Sequence, residues 1–333
     1  MPESKNESNK KPKLKNKYVR SVIKLGNSKA ITFPQDWTIS ADLDEKSEVS
    51  LYPLDEKTII IRAFDKEKSK TIFRIDANIW SINLVKQGVI SAFKLNIDEI
   101  YIKYNDNNQE EEVNKLLIEL RSEIIGIDFK NIPENSEFFV NFLLDTSKTA
   151  LPEVLSDLSN VFTTVIKNII EGNIRKDNQF ILDEIDRKYS LGRRILITGL
   201  ADYPISKGYK NFPIIRFLGD RVILLYIRDF INEALTLQFI SNTVIKKYTE
   251  LLTRIPQLLN EIIKNYDNIN LDSISGFQEY LIRLREMLKD IKLNESNIEE
   301  QQVLNIIRYF LNSFNNFFDI GITRLIETEI GMN

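Results

Sequence analysis

Hydrophobic and polar positions divide the 333 residues into regions of different period. In residues 18–62, short runs rich in β-branched and aromatic side chains ("YVRSVIKLG", "KAITFP", "EVSLYP", "TIIIR") are bounded by Gly, Asn, Asp and Pro, which predicts strands. The stretch "RSVIKLGNSKAITFPQDW" reads as a strand, a Gly26-Asn27 turn and a second strand stopped at Pro34. In residues 71–146 the periods mix: "DANIWSINLVKQGVISAFKL" and "EEEVNKLLIELRSEII" have helical spacing, "EIYIKY" and "EFFVNFLLD" the spacing of strands. After Thr149 strand signals almost vanish. Stripes such as Leu151, Val154, Leu155, Leu158, Phe162, Val165, Ile166 and Ile169 run toward the end of the chain, broken at "EGNIRKDN", "DYPISKGYKNFP", "YDNINLDSISG" and "KLNESN". About six helices are expected there, several of them long enough for bundle packing.

The fold class is therefore α+β, with a β domain at residues 18–64, a small α/β connector at 65–146 and a helical domain at 147–333, preceded by a basic, disordered arm at 1–17. A β unit of roughly 45 residues has too little core to stand alone, so it is expected to pair with a second copy or lean on another domain.

Charge sharpens this division. Residues 1–29 hold nine Lys/Arg against two Glu, a net of +7 that leaves −10 on the rest of a chain whose total is −3. Such asymmetry points to one end that meets a polyanion. The chain has no Cys and no His, which removes thiolate chemistry, imidazole-based triads and the commonest transition-metal ligand. No cofactor and no enzymatic activity are expected. The longest apolar runs, such as "VILLYI", fall far short of a membrane span, and no secretory pattern opens the chain, so a cytoplasmic protein without membrane insertion is expected.

The β segment, with its Arg-initiated strand, "LGNSKAITFP" and "DLDEKSEVSLY", resembles the SpoVT/AbrB swapped-hairpin domain, in which a Gly-Ser turn runs into a strand ending at Pro, followed by a short helix and a Gly-Asp-Glu-Val step. That resemblance implies hairpins interleaved between two subunits and a dimer that presents basic loop residues to DNA. Here the DNA-binding candidates are Arg20, Lys24, Asn27, Ser28 and Lys29. Lys and Arg neutralise phosphates and release counterions, and Arg and Asn can reach base edges. The segment departs from the family after the proline, where Gln35 and Asp36 stand in place of charged or basic residues.

The remainder resembles archaeal PhoU-like proteins that carry an AbrB-type domain in front, through "RSEIIGIDF", "FLLD", "LDEIDRKY" and the terminal "FFDIGITRLIE". This implies a pair of three-helix bundles, in many members with metal held by paired acids on neighbouring helices. Carboxylates three or four residues apart share a helix face and supply hard oxygen ligands. The acids survive here only in part, as Asp183, Asp186 and Asp319. On the partner helix the family's acidic pattern falls on Arg228, Asn232 and Glu233, and in the second bundle Asn315 replaces an acid ahead of Asp319 and Gly321. No metal is expected. Arg228, helped by Arg221, is expected to pair with Asp183 or Asp186 where the metal is lost, since two facing carboxylates left unpaired would be costly.

"SLGRRILITGLADYP" lacks the phosphate-loop spacing, and Arg193 and Arg194 are read as helix-surface residues. The aromatics of "FLNSFNNFFDI" are read as bundle core or interface. The resemblance implies a dimeric DNA-binding transcriptional regulator of phosphate uptake or metabolism, whose helical body receives a signal and alters the spacing of the DNA-binding heads. The alternative is a PhoU-type interaction module that controls a phosphate transporter or signalling kinase and uses the β domain only to form a homodimer.

Overall fold

The computed structural model describes residues 14, 15, 17–53, 56–63, 70–144, 149–173, 179–201, 216–266, 268–291 and 297–329. The basic arm lies almost wholly outside them, as do the expected helix breaks in "EGNIRKDN", "DYPISKGYKNFP" and "KLNESN" for most of their length. The chain divides into two compact units, residues 1–69 and 70–333.

In the first unit, β1 (Ile23–Leu25) and β2 (Ser28–Ala30) form an antiparallel hairpin around Gly26 and Asn27. Gly26 has φ 61°, as the first central position of a two-residue hairpin turn requires. The second strand is shorter than "KAITFP" predicts. Pro34 instead starts α1 (Gln35–Ser40), where Trp37 folds back on Phe33 with ring centres 5.0 Å apart. The short helix thus precedes "DLDEKS" and does not lie within it. A second antiparallel pair follows, β3 (Val49–Pro53) with β4 (Ile59–Ala63).

The second unit begins with β5 (Ile72–Asp76), α2 (Ile82–Lys94), β6 (Glu99–Lys103), α3 (Asn107–Glu123), β7 (Ile127–Ile132) and β8 (Glu137–Phe142). The strands form one sheet in the order β5-β6-β8-β7, parallel where α2 makes the crossover and antiparallel elsewhere. Alternation puts Ile75, Ile100, Ile102, Phe138 and Val140 on one face, packed with Val89 and Phe93 of α2 and Leu117 and Leu120 of α3. Asp106 caps α3 by accepting the Gln109 amide at 2.9 Å. Sequence periodicity runs the first helix back to Asp76, but Asp76 instead ends β5 by accepting the Asn78 amide at 2.9 Å.

Seven helices complete the described unit: α4 (Leu151–Glu171), α5 (Gln179–Ala201), α6 (Arg216–Thr236), α7 (Asn242–Lys247), α8 (Thr249–Lys264), α9 (Leu271–Asp290) and α10 (Ile298–Glu329). All eight residues of the predicted Leu151 to Ile169 stripe are buried. Each of α4, α5 and α6 packs on the other two, and so do α8, α9 and α10. The two triplets share one continuous apolar core, in which Phe162, Phe230, Phe310 and Phe314 meet edge to face or tilted. The terminal aromatics are core residues, as their spacing predicts.

α4 ends at Gly172, whose φ of 70° is left-handed, and a Cβ there would lie 2.7 Å from Asn242 Nδ2. A side chain at this position meets both the left-handed backbone penalty and the wall of α7. Gly172→Ala should therefore lower stability by about 1–2 kcal/mol in urea unfolding.

Candidate functional site

The hairpin has two chemically different faces. Lys24 and Lys29 are directly opposite each other across β1 and β2, so their side chains share one face, while Ile23 and Leu25, opposite Ala30 and Ser28, share the other. Like charges directly opposite disfavour a two-stranded ladder. Both lysines are exposed, and so are Asn27 and Ser28 at the turn. Arg20 is exposed in the segment leading into β1, its Nη1 donating to the Val19 carbonyl at 3.4 Å. The structure thus groups Lys24, Asn27, Ser28 and Lys29 on one short hairpin.

The apolar side of this unit is left open. Ile23 is 49%, Leu25 68% and Ile59 60% exposed, and no described residue of the unit is buried. Gln35 and Asp36 have a local structural role. They form the first turn of α1, where a carboxylate suits the positive end of the helix, and Asp36 Oδ2 accepts from the Tyr18 hydroxyl at 3.5 Å.

In the helical body, Asp183 and Asp186 lie on α5. Arg228 of α6 donates through Nε and Nη2 to Asp186 Oδ1, at 3.1 and 2.8 Å. The structure therefore pairs the expected arginine with Asp186; Arg221 is exposed two turns earlier on the same helix. Glu184 lies 3.8 Å from Lys188. The second triplet repeats the theme, since Arg285 of α9 donates to Asn315 Oδ1 at 2.7 Å. Asp319 lies on α10, with its carbonyl accepting from Thr323. Among the described residues, no three acidic side chains gather in a way that could hold a metal ion. No helix among them is long and apolar enough to cross a membrane.

Several buried charged groups escape sequence reasoning, Asp220 and Arg324 among them. Asp220 of α6 and Arg324 of α10 are 2% and 5% exposed and form an ion pair, with Arg324 Nη1 also donating to the Tyr266 carbonyl at 3.2 Å. Burial and then the charge of Asp220 push the Tyr266 phenol well above its ordinary range. A signal is present in the chain: Asp220 falls in register with Phe217, Leu224 and Ile227, and Arg324 with Phe317 and Gly321, so each charge interrupts an apolar stripe. Arg194, expected on the helix surface, is instead buried against the rings of Phe93 and Phe142.

Comparison with family models, curated proteins and solved structures finds no match to this chain.

Proposed function

We propose that the first unit is a SpoVT/AbrB-type hairpin domain that dimerises with a second copy of itself and binds DNA, and that α4–α10 form a PhoU-like body that receives a signal or partner. The chain is then a DNA-binding regulator, and phosphate uptake or metabolism is the process the resemblance implies. The observation that carries this reading is the two-faced hairpin. Lys24 and Lys29 repel each other on one side while Ile23 and Leu25 stay exposed on the other, in a unit without a single buried residue among those described.

Each half of that arrangement is costly for an isolated chain. A second copy supplies the missing core by covering the apolar side, and a polyanion relieves the repulsion on the basic side. Arg20 ahead of β1 and Asn27 at the turn lie within a few residues of the basic face, and Ser28 adds an exposed hydroxyl at the turn.

A duplex-DNA shift assay run across a salt series tests this. The full chain should bind at low salt and lose affinity steeply as salt rises. The R20Q/K24Q/K29Q variant should flatten the logarithmic salt slope by about 0.9 for each phosphate it no longer neutralises. Binding by this variant equal to the parent at every salt concentration would remove the hairpin from the interface. No binding by the parent even at low salt favours the alternative, an interaction module whose β domain only dimerises, and with it a structural account of Gln35 and Asp36.

A further inference from the structure

Three cations converge on one buried ring where α2 of the α/β module and α6 of the helical body both approach α5. Tyr189 of α5 is 8% exposed. Arg228 Cζ lies 4.8 Å, Lys94 Nζ 5.7 Å and Arg193 Cζ 6.0 Å from its ring centre. Arg193 Nη1 also donates to the Tyr189 hydroxyl at 3.4 Å. An aromatic ring attracts cations through its quadrupole but neutralises none of them.

The carboxylates nearby do not balance this charge. Asp186 is held by Arg228, Glu184 shares Lys188 with Asp157, and Glu123 is ion-paired with Lys86. Among the described residues neither Lys94 nor Arg193 has an ion-paired acid. Lys94 and Arg193 thus bring to a half-buried position two positive charges that no direct ion pair offsets, in a chain whose net charge is −3. Burial, then the charges of Arg193 and Arg228, hold the Lys94 ammonium below its usual range, with Asp186 and Glu123 offsetting this in part.

Uncompensated cations at a partly buried junction are costly to the fold alone and suited to an anionic ligand. We propose that Lys94, Arg193 and Arg228 form a binding site for a phosphate dianion, carried either by inorganic phosphate or by a small phosphate monoester. Its charge matches the excess. The two guanidinium groups can each offer paired N–H donors to its oxygens, and the lysine adds a compact point charge. Asp186, which holds the Arg228 fork, competes with the anion for it. Lys94 belongs to the α/β module, whereas Arg193 and Arg228 belong to the helical body, so the ligand ties together two packed parts of the second unit and favours that packing. This site stands independently of DNA binding by the hairpin.

Titration calorimetry of the full chain with inorganic phosphate, and separately with glycerol 3-phosphate, at constant ionic strength and neutral pH, tests the assignment. One saturable site per chain is expected, and the tighter of the two probes identifies the carrier. K94Q and R193Q should each weaken binding by about tenfold, the loss of one charge-assisted hydrogen bond. D186N should strengthen it about threefold, because a competing carboxylate is removed; a purely structural cluster would show no such gain. Circular dichroism checks that each variant is folded, and R193K, which keeps the charge, should fall between R193Q and the parent. Absence of saturable binding by either probe below about 10 mM overturns the proposal. So does binding that K94Q and R193Q leave unchanged, which would place the anion elsewhere, or a D186N affinity no greater than that of the parent.

Discussion

Asp220→Ala should destabilise the second unit by about 3–5 kcal/mol, the range for removing one partner of a buried ion pair. The Arg324 guanidinium it leaves behind is 6% exposed at its side chain and stacks on Tyr266, with Cζ 4.3 Å from the ring centre. The hydrogen bond that Arg324 donates to the Tyr266 carbonyl at 3.2 Å does not neutralise its charge. Phe217, Ile223 and Leu224 around Asp220 on α6 are buried, whereas Arg324 also lines a cavity shared with Glu327, whose carboxylate acts on it, so the loss is expected toward the lower end of that range. The companion experiment separates the pair's cost from its benefit. Replacing both partners by apolar residues, as in D220L/R324M, should recover most of the loss, since such replacement is often neutral or stabilising. Chemical unfolding of the three proteins at neutral pH reads the result. A loss below about 1 kcal/mol for the single variant, or a double variant no better than the single, would show that the pair is not the isolated buried charge its burial implies.

The second large effect is expected at Arg194, where α5 meets the α/β module. Its guanidinium packs beside the edge-to-face pair Phe93 and Phe142, with Cζ 4.9 and 5.2 Å from their ring centres, and Nη1 donates at 2.8 Å to the Phe93 carbonyl. That carbonyl belongs to the last turn of α2, the negative end of the helix, so the cation there acts as both hydrogen-bond donor and countercharge to the dipole. The arrangement also carries a cost. Arg194 Nε is buried with no partner, and burial lowers the guanidinium's proton affinity, with Asp98 giving only partial relief. Arg194→Ala removes a charge-assisted hydrogen bond and leaves the space beside the two rings unfilled, and it should lower stability by about 2–4 kcal/mol. R194M keeps much of the packing volume and also removes the unpartnered donor, so it should lose less than half as much. If alanine and methionine lost the same amount, the stability would come from the hydrogen bond rather than the stacking, and R194K would then retain most of it.

The legibility of this chain follows the kind of pattern each element carries. The stripe on α4 is readable because nine buried positions at helical spacing repeat over a 21-residue helix, and no alternative period fits them. β5 and β7 escape because five or six residues of strand next to helical spacing do not show a period of their own. "DANIW" reads smoothly into the following helix until Asp76 bonds the Asn78 amide, a local turn device that hydrophobic pattern cannot see. The same limit hides the short helix of the first unit at Gln35–Ser40, where a proline ahead of polar residues reads as the end of a strand. In the candidate site, residues close in sequence do group on the hairpin, and the resemblance to PhoU-like proteins leads to Arg228 facing Asp183 or Asp186, of which the structure pairs it with Asp186. The place of Arg194 is not legible, because an Arg-Arg step on a helix sets the two side chains about 100° apart, and sequence does not say which one meets another element.

The sequence alone determined the local quantities: where strands give way to helices, the positive charge concentrated in the first 29 residues, and the absence of Cys and His. Each of these is set by composition or by spacing within one element. Tertiary structure decided the rest: that Lys24 faces Lys29, that Asp220 and Arg324 neutralise each other inside the core, and that Lys94, Arg193 and Arg228 surround Tyr189 with Asp186 held by Arg228. A residue's net electrostatic environment sums over neighbours far away in the chain, such as Asp220 and Arg324 at 104 positions apart, and that sum exists only once the elements are packed.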